Sequence, residues 1–245
     1  MTAVDSTAGH LRSGEWLRAK IRLSAGLLSP TTDAFWEHPR LAEVFQEFLI
    51  AIYGSVRATV PLMEAASRVS MVLGETDPVA AALPEYFRTH IAEELDHDEW
   101  LLRDLEALGH AREDVTDGLP NPAIAAMVGA QYYWIFHSHP VALLGFFAVL
   151  EGNPPRNEDL VTIQSRTGLP GEAFRMLRHH AELDEQHARE LFEFIDGLPL
   201  ARRHTELIGI SALHTLMALQ SFFAGLCVEN RGGRSASRSS PDPSS

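Results

Sequence analysis

Six side chains in this sequence have the types and spacing that could hold transition metals. His180, Asp184 and His187 are spaced i, i+4 and i+7. On a helix they fall within an arc of roughly 60°. A carboxylate between two imidazoles on one face offers a metal borderline nitrogen and hard oxygen donors aimed at one point. Glu94 and His97 form a Glu-x-x-His pair inside THIAEELDHDEW, an arrangement used in carboxylate-bridged di-iron bundles. Glu151 ends the apolar run VALLGFFAVL and precedes Gly-Asn-Pro-Pro. It is either a helix end reaching solvent or a buried charge, and a buried, unpaired carboxylate costs several kcal/mol. Solvated helix faces would account for each of these features taken singly. Together they supply three carboxylates and three imidazoles, which suits two iron or manganese ions with positions left open for dioxygen and substrate.

The elements that must position these groups all read as helices. A short amphipathic helix spans Glu15 to Leu28 and is closed by Ser29-Pro30. Thr32 or Asp33 caps the next, which runs through Leu41, Phe45, Leu49 and Ile52 and is expected to kink or restart at Pro61. Asp77-Pro78 opens a long helix reaching Gly109, with a break expected near Pro84. On it, Glu94 and His97 share a face. Helices follow over about 123–136, 140–150 and 157–168, then from Pro170 to near Gly197 and from Pro199 through Cys227. No segment alternates with period two for long enough to be a strand. The expectation is an all-α chain of seven to nine helices: an N-terminal segment over 1–30, one helical domain over 31–228, and a disordered tail over 229–245, rich in Ser, Pro and Gly.

Composition narrows the partners. The chain has 245 residues and a net charge of −13, with its arginines dispersed, so it lacks the basic patch a nucleic-acid surface needs. One cysteine, Cys227, and one lysine, Lys20, leave no intrachain disulfide and little scope for Schiff-base chemistry. With no charged n-region followed by an apolar run, a cytoplasmic location is expected. Leu207 to Val228 carries no charged side chain and is long enough to span a bilayer. Its His214, Gln220, Ser211, Ser221 and Thr215 favour a buried central helix or an oligomer contact over membrane insertion, and burial of its outer face would suit a homodimer.

The order Glu-x-x-His, isolated Glu, then His-x-x-x-Asp-x-x-His resembles the heme-oxygenase-like di-iron oxidases and oxygenases, whose bundle of about seven core helices is shared with thiaminase II and pyrroloquinoline-quinone synthase. The resemblance covers roughly residues 30–228. It implies two ferrous ions, one held by Glu94, His97 and His180 and the other by Glu151, Asp184 and His187. It also implies a small-molecule substrate, dioxygen and an electron donor. Outcomes in such proteins include amine N-oxygenation, C–C cleavage of amino acids and oxidative decarboxylation of fatty acids. Other members place a carboxylate seven residues before the histidine. Here that position is His90, which lies on the Glu94/His97 face and reads as a residue supporting the ligands.

Other readings use the same residues. A ferritin-like bundle would pair Glu94/His97 with Asp184/His187 and draw on Glu151 and Glu43 or Glu47, leaving His180 without a role. A thiaminase-like hydrolase would need Cys227 as nucleophile, a heme oxygenase a proximal histidine such as His10 or His38. A ligand-binding regulator would keep the fold alone. The aromatic stretch Tyr132, Tyr133, Trp134 and Phe136, with His137 and His139, is a candidate for core or substrate contact.

Overall fold

The computed structural model describes residues 12–26, 28–152 and 156–232, without the side chains of 184, 185 and 229–232. Among them are eleven α-helices and no strand. They are α1 (Ser13–Ala25), α2 (Ser29–Trp36), α3 (Leu41–Leu73), α4 (Pro78–Glu94), α5 (His97–Ala107), α6 (Arg112–Thr116), α7 (Pro122–His137), α8 (Leu143–Leu150), α9 (Asn157–Thr167), α10 (Arg175–Gly197) and α11 (Arg202–Gly232). Short 3-10 turns, Pro140–Ala142 and Gly171–Phe174, lead into α8 and α10. Most of the expected tail lies outside the described residues.

Two long helices organise the rest. α3 packs against α4, α5 and α7, while α11 packs against α1, α2, α7 and α8. Both are long and apolar enough to cross a membrane by length and composition, with 39% and 44% of their apolar windows buried inside the bundle. α8 is buried from Leu143 to Val149. It crosses α11 so closely that a Cβ on Gly145 would stand 2.1 Å from the carbonyl oxygen of Ile208. α1 is docked on α10 and α11: Leu17 and Ile21 are buried, and the Gly14 N–H donates to Asp196 Oδ1 at 2.7 Å.

Four expectations about the helices are corrected. α3 runs unbroken through Pro61, which lies on the solvent side, where water can satisfy the carbonyl freed at Arg57. α4 likewise continues through Pro84. Ser29-Pro30 opens α2 instead of merely closing α1, because proline suits the first turn of a helix. The long helix from Asp77 to Gly109 is two helices. Leu95 is extended and Asp96 is left-handed (φ 68°), so α4 ends on Glu94 and α5 begins on His97.

Candidate metal centre

The break between α4 and α5 falls between two of the expected ligands. Among the described residues, Asp96 is the only non-glycine with positive φ, a conformation that costs an L-residue about 1–2 kcal/mol, less for Asp. Its effect is to turn His97 back over the end of α4. His97 Nδ1 donates to Glu94 Oε2 at 3.0 Å, with both side chains buried. Glu94 sits in the last turn of α4, where the helix dipole disfavours a carboxylate, so its placement calls for a cationic partner. α10 brings His180 to the same point: one donor atom from each of Glu94, His97 and His180 lies within 4.8 Å of the others.

These three fit a metal. With Nδ1 donating to Glu94, the neutral His97 ring carries its lone pair on Nε2. That atom is buried and has no hydrogen-bond partner among the described residues. A metal ligand imidazole has this arrangement, one nitrogen tied to a carboxylate and the other turned to the ion. Burial pushes the Glu94 carboxyl up, but the hydrogen bond to His97 and the charges of His180, His97 and His90 outweigh it and hold it below its ordinary value.

Glu151 follows the end of α8 and is buried, so it is the buried charge and not a solvent-facing end. His90 Nε2 donates to its Oε1 at 2.9 Å, and its Oε2 has no hydrogen-bond partner among the described residues. Burial raises the Glu151 carboxyl, opposed by His90. Burial would depress His90, but the hydrogen bond and charge of Glu151, with Glu94 and Glu93, raise it to about 9. The His187 ring lies 5.2 Å from that of His90, and its Nε2 is 3.7 Å from Glu93 Oε2. The side chain of Asp184 lies outside the described residues. Glu151 and His187 therefore lie on either side of His90, with Glu93 beside both imidazoles; His90 and Glu93 were not among the ligands expected from the sequence.

Two openings reach the centre. A mainly apolar chamber of about 790 Å³ includes Glu94, Glu151 and His180 in its wall, along with Phe48, Phe147, Phe222 and Phe223, and it extends to Leu28 and Trp36 near the N-terminal end. A smaller vestibule of about 280 Å³ is lined by Tyr86, His90, Glu93, His187, Glu190 and Phe194. The aromatic stretch of α7 contributes to neither: Tyr133 and Phe136 are exposed, and the chamber takes Ile124 and Met127 from that helix. Trp100 was not anticipated; its ring packs 4.7 Å from that of His97. Arg178 is engaged with Gln164 and Gly171, away from the chamber. Glu43 pairs with Arg40 on the surface and Glu47 is exposed too, so neither supplies the carboxylate that the ferritin-like arrangement would need.

A third cluster has the same residue types but the wrong tautomers. Asp77, His139 and His204 also bring donor atoms within 4.8 Å of one another. Here the backbone N–H groups of Val141 and Ala201 donate to Nδ1 of His139 and His204. Each neutral ring therefore carries its proton on Nε2, the nitrogen facing Asp77 Oδ2 at 3.2 and 3.9 Å. These are ion-pair contacts with a carboxylate whose other oxygen caps α4 through Val79 and Ala80. The cluster is a clasp joining three helix starts.

Comparison with known proteins agrees with the geometry. The model of the family described as iron-containing redox enzyme matches residues 46–220. The chain belongs to this family. That span takes in α4, α5, α8 and α10, hence every candidate ligand, and it makes iron the metal to expect. A solved domain of unknown function with a heme oxygenase-like fold, from Shewanella denitrificans, superposes with a TM-score of 0.69 at 19% identity, covering 87% of this chain and 94% of its own. A TenA homologue from Pseudomonas syringae pv. tomato gives 0.63 at 15% identity, covering 86% and 93%. At these identities the likeness establishes the fold: an all-α heme-oxygenase-like bundle. No curated protein matches the chain.

Proposed function

We propose that this iron-containing redox enzyme is a dioxygen-dependent oxidase or oxygenase with two iron ions, acting on an apolar carboxylic acid of the fatty-acid type. Glu94, His97 and His180 would hold one ion; Glu151, Asp184 and His187 would hold the other. Bound ferrous iron would supply dioxygen activation at the wall of the chamber. The observation that carries the substrate class is the chamber itself. At about 790 Å³ it is in the range of small-molecule sites. Its walls are mainly aliphatic and aromatic; besides the candidate ligands its polar lining is Asp159, Arg166 and a few Ser and Thr residues. An extended alkyl chain would fill it while an acid head meets the ions. An amino acid-derived amine, the other substrate type implied by the resemblance, would set less apolar surface against Phe48, Phe222 and Phe223 than an alkyl chain does.

The chain's own residues do the rest. Phe147, Phe222 and Phe223 exclude water from the reacting end. His90 fixes the orientation of Glu151, and Glu94 fixes that of His97. The test is anaerobic titration of the metal-free protein with ferrous iron, then mixing with air-saturated buffer containing saturated fatty acids of graded length. Two equivalents bound, a transient visible absorption band and acid-dependent oxygen consumption are expected. Iron uptake with no acceleration by any acid would refute the substrate class. Absence of iron uptake, with acid present or absent, would favour a binding or regulatory protein.

A further inference from the structure

The vestibule between α4 and α10 is not needed by a substrate that occupies the apolar chamber, yet it opens onto the second metal position. Its wall carries Glu93. The Oε2 atom of Glu93 lies 3.4 Å from His90 Nδ1 and 3.7 Å from His187 Nε2. Both imidazoles are buried, whereas the Glu93 side chain keeps 36% of its surface exposed. Glu93 thus stands where the vestibule meets the buried donors. His90 is an unsuitable ligand in this arrangement, because both of its ring nitrogens face carboxylates, Glu151 through Nε2 and Glu93 through Nδ1. It holds two carboxylates on either side of itself, with His187 against its ring.

We propose that Glu93 is a further carboxylate ligand of the second metal position, and that the vestibule is the route by which that ion enters and leaves. This rests on the two-ion reading above. Carboxylate oxygens suit divalent iron or manganese, and Glu93 lines the vestibule beside His187, whereas Glu190 on the same wall accepts a hydrogen bond from Gln186. The first position does not share this vestibule: none of Glu94, His97 and His180 lines it, and Glu94 and His180 open onto the mainly apolar chamber instead. The two ions should therefore differ in lability. By formal count, Glu93 brings the ligand carboxylates to four, which neutralises two ferrous ions.

The experiment is anaerobic titration of the full chain with cobalt(II), following ligand-field absorption, and with ferrous iron by calorimetry. Wild type should bind two equivalents, and a chelator should remove one of them much faster than the other. Glu93→Gln should weaken the second equivalent roughly 10–100-fold and leave the first unchanged, with Glu93→Asp recovering part of the loss. Glu85→Gln, on the same vestibule wall but held by Arg88 at 2.9 Å, should bind both equivalents as wild type does. Circular dichroism checks that the variants keep their helices. Glu93→Gln binding like wild type, or weakening both equivalents alike, would overturn the assignment while leaving two ions in place. A wild-type chain that takes fewer than two equivalents would overturn the two-ion reading and this assignment with it.

Discussion

Replacing Gly145 with alanine probes how rigidly α8 holds Glu151. An added Cβ would lie 2.1 Å from Ile208 O, 2.9 Å from Ala212 N and 3.0 Å from Ser211 Cβ. Two of the three are backbone atoms of α11, which cannot rotate aside as a side chain can. Relief requires the helices to part by about 1 Å, yet α8 is buried throughout, and separation on one side compresses the other. Overpacking of this kind costs about 3 kcal/mol. Alanine returns about 1 kcal/mol of helix propensity. The net loss is about 2 kcal/mol, a fall in melting temperature of about 4–8 °C for a chain of this size. Gly129 is the control: it lies within α7, and its added Cβ meets nothing within 4 Å. Gly129→Ala should therefore gain up to about 1 kcal/mol from propensity alone. Thermal melts of the metal-free proteins measure both. A Gly145→Ala melting temperature equal to or above wild type would refute the reasoning, since propensity would then outweigh a contact that cannot relax.

Three further outcomes are expected. Asp96→Gly should raise stability by about 0.5–1 kcal/mol, because glycine adopts the left-handed conformation freely; Asp96→Val should lower stability and also iron uptake, read by melts and metal analysis. His97→Gln should reduce iron at the first position at least tenfold with the helical signal intact; loss of the helical signal would instead give His97 a structural role. Asp104, buried on α5, accepts the Met176 N–H at 2.9 Å at the start of α10. Burial raises its carboxyl from 3.8 to about 6, against that hydrogen bond and the charge of Arg175. The folded state then holds the proton more tightly than the unfolded one, so this group makes the protein more stable as pH falls from about 6 to about 4, by up to about 3 kcal/mol. Melts across that window for wild type and Asp104→Asn should show this increment only in wild type.

Much of the centre was legible in the sequence because helical periodicity is a strong signal. The spacing of His180 and His187 places both on one face of α10, and the run before Glu151 reads as a buried helix ending on a carboxylate. The break at Leu95 and Asp96 was not legible. EELDHDEW is rich in helix formers, and local propensity favours one continuous helix. A weaker cue lay in the charges: Asp98 and Glu99 suit the first turn of a new helix. Glu93 was passed over because a glutamate beside other acids is the ordinary content of a solvated face. Only the approach of α10 distinguishes it, and that is a tertiary fact. Pro61 misled for a related reason, since what decides a proline's effect is whether the carbonyl it frees can reach water.

The Asp77 clasp gives the centre a remote lever. Asp77 starts α4 and His139 starts the turn that leads into α8; the far ends of these two rods carry Glu94 and Glu151. α4 has 17 residues, about 25 Å of helix. A tilt of about 2° at the clasp would move its tip by roughly 0.9 Å, a sizeable part of a metal–ligand bond. The spacing of Glu94 and Glu151 is thus geared to a charge-paired joint at the opposite end of the two helices.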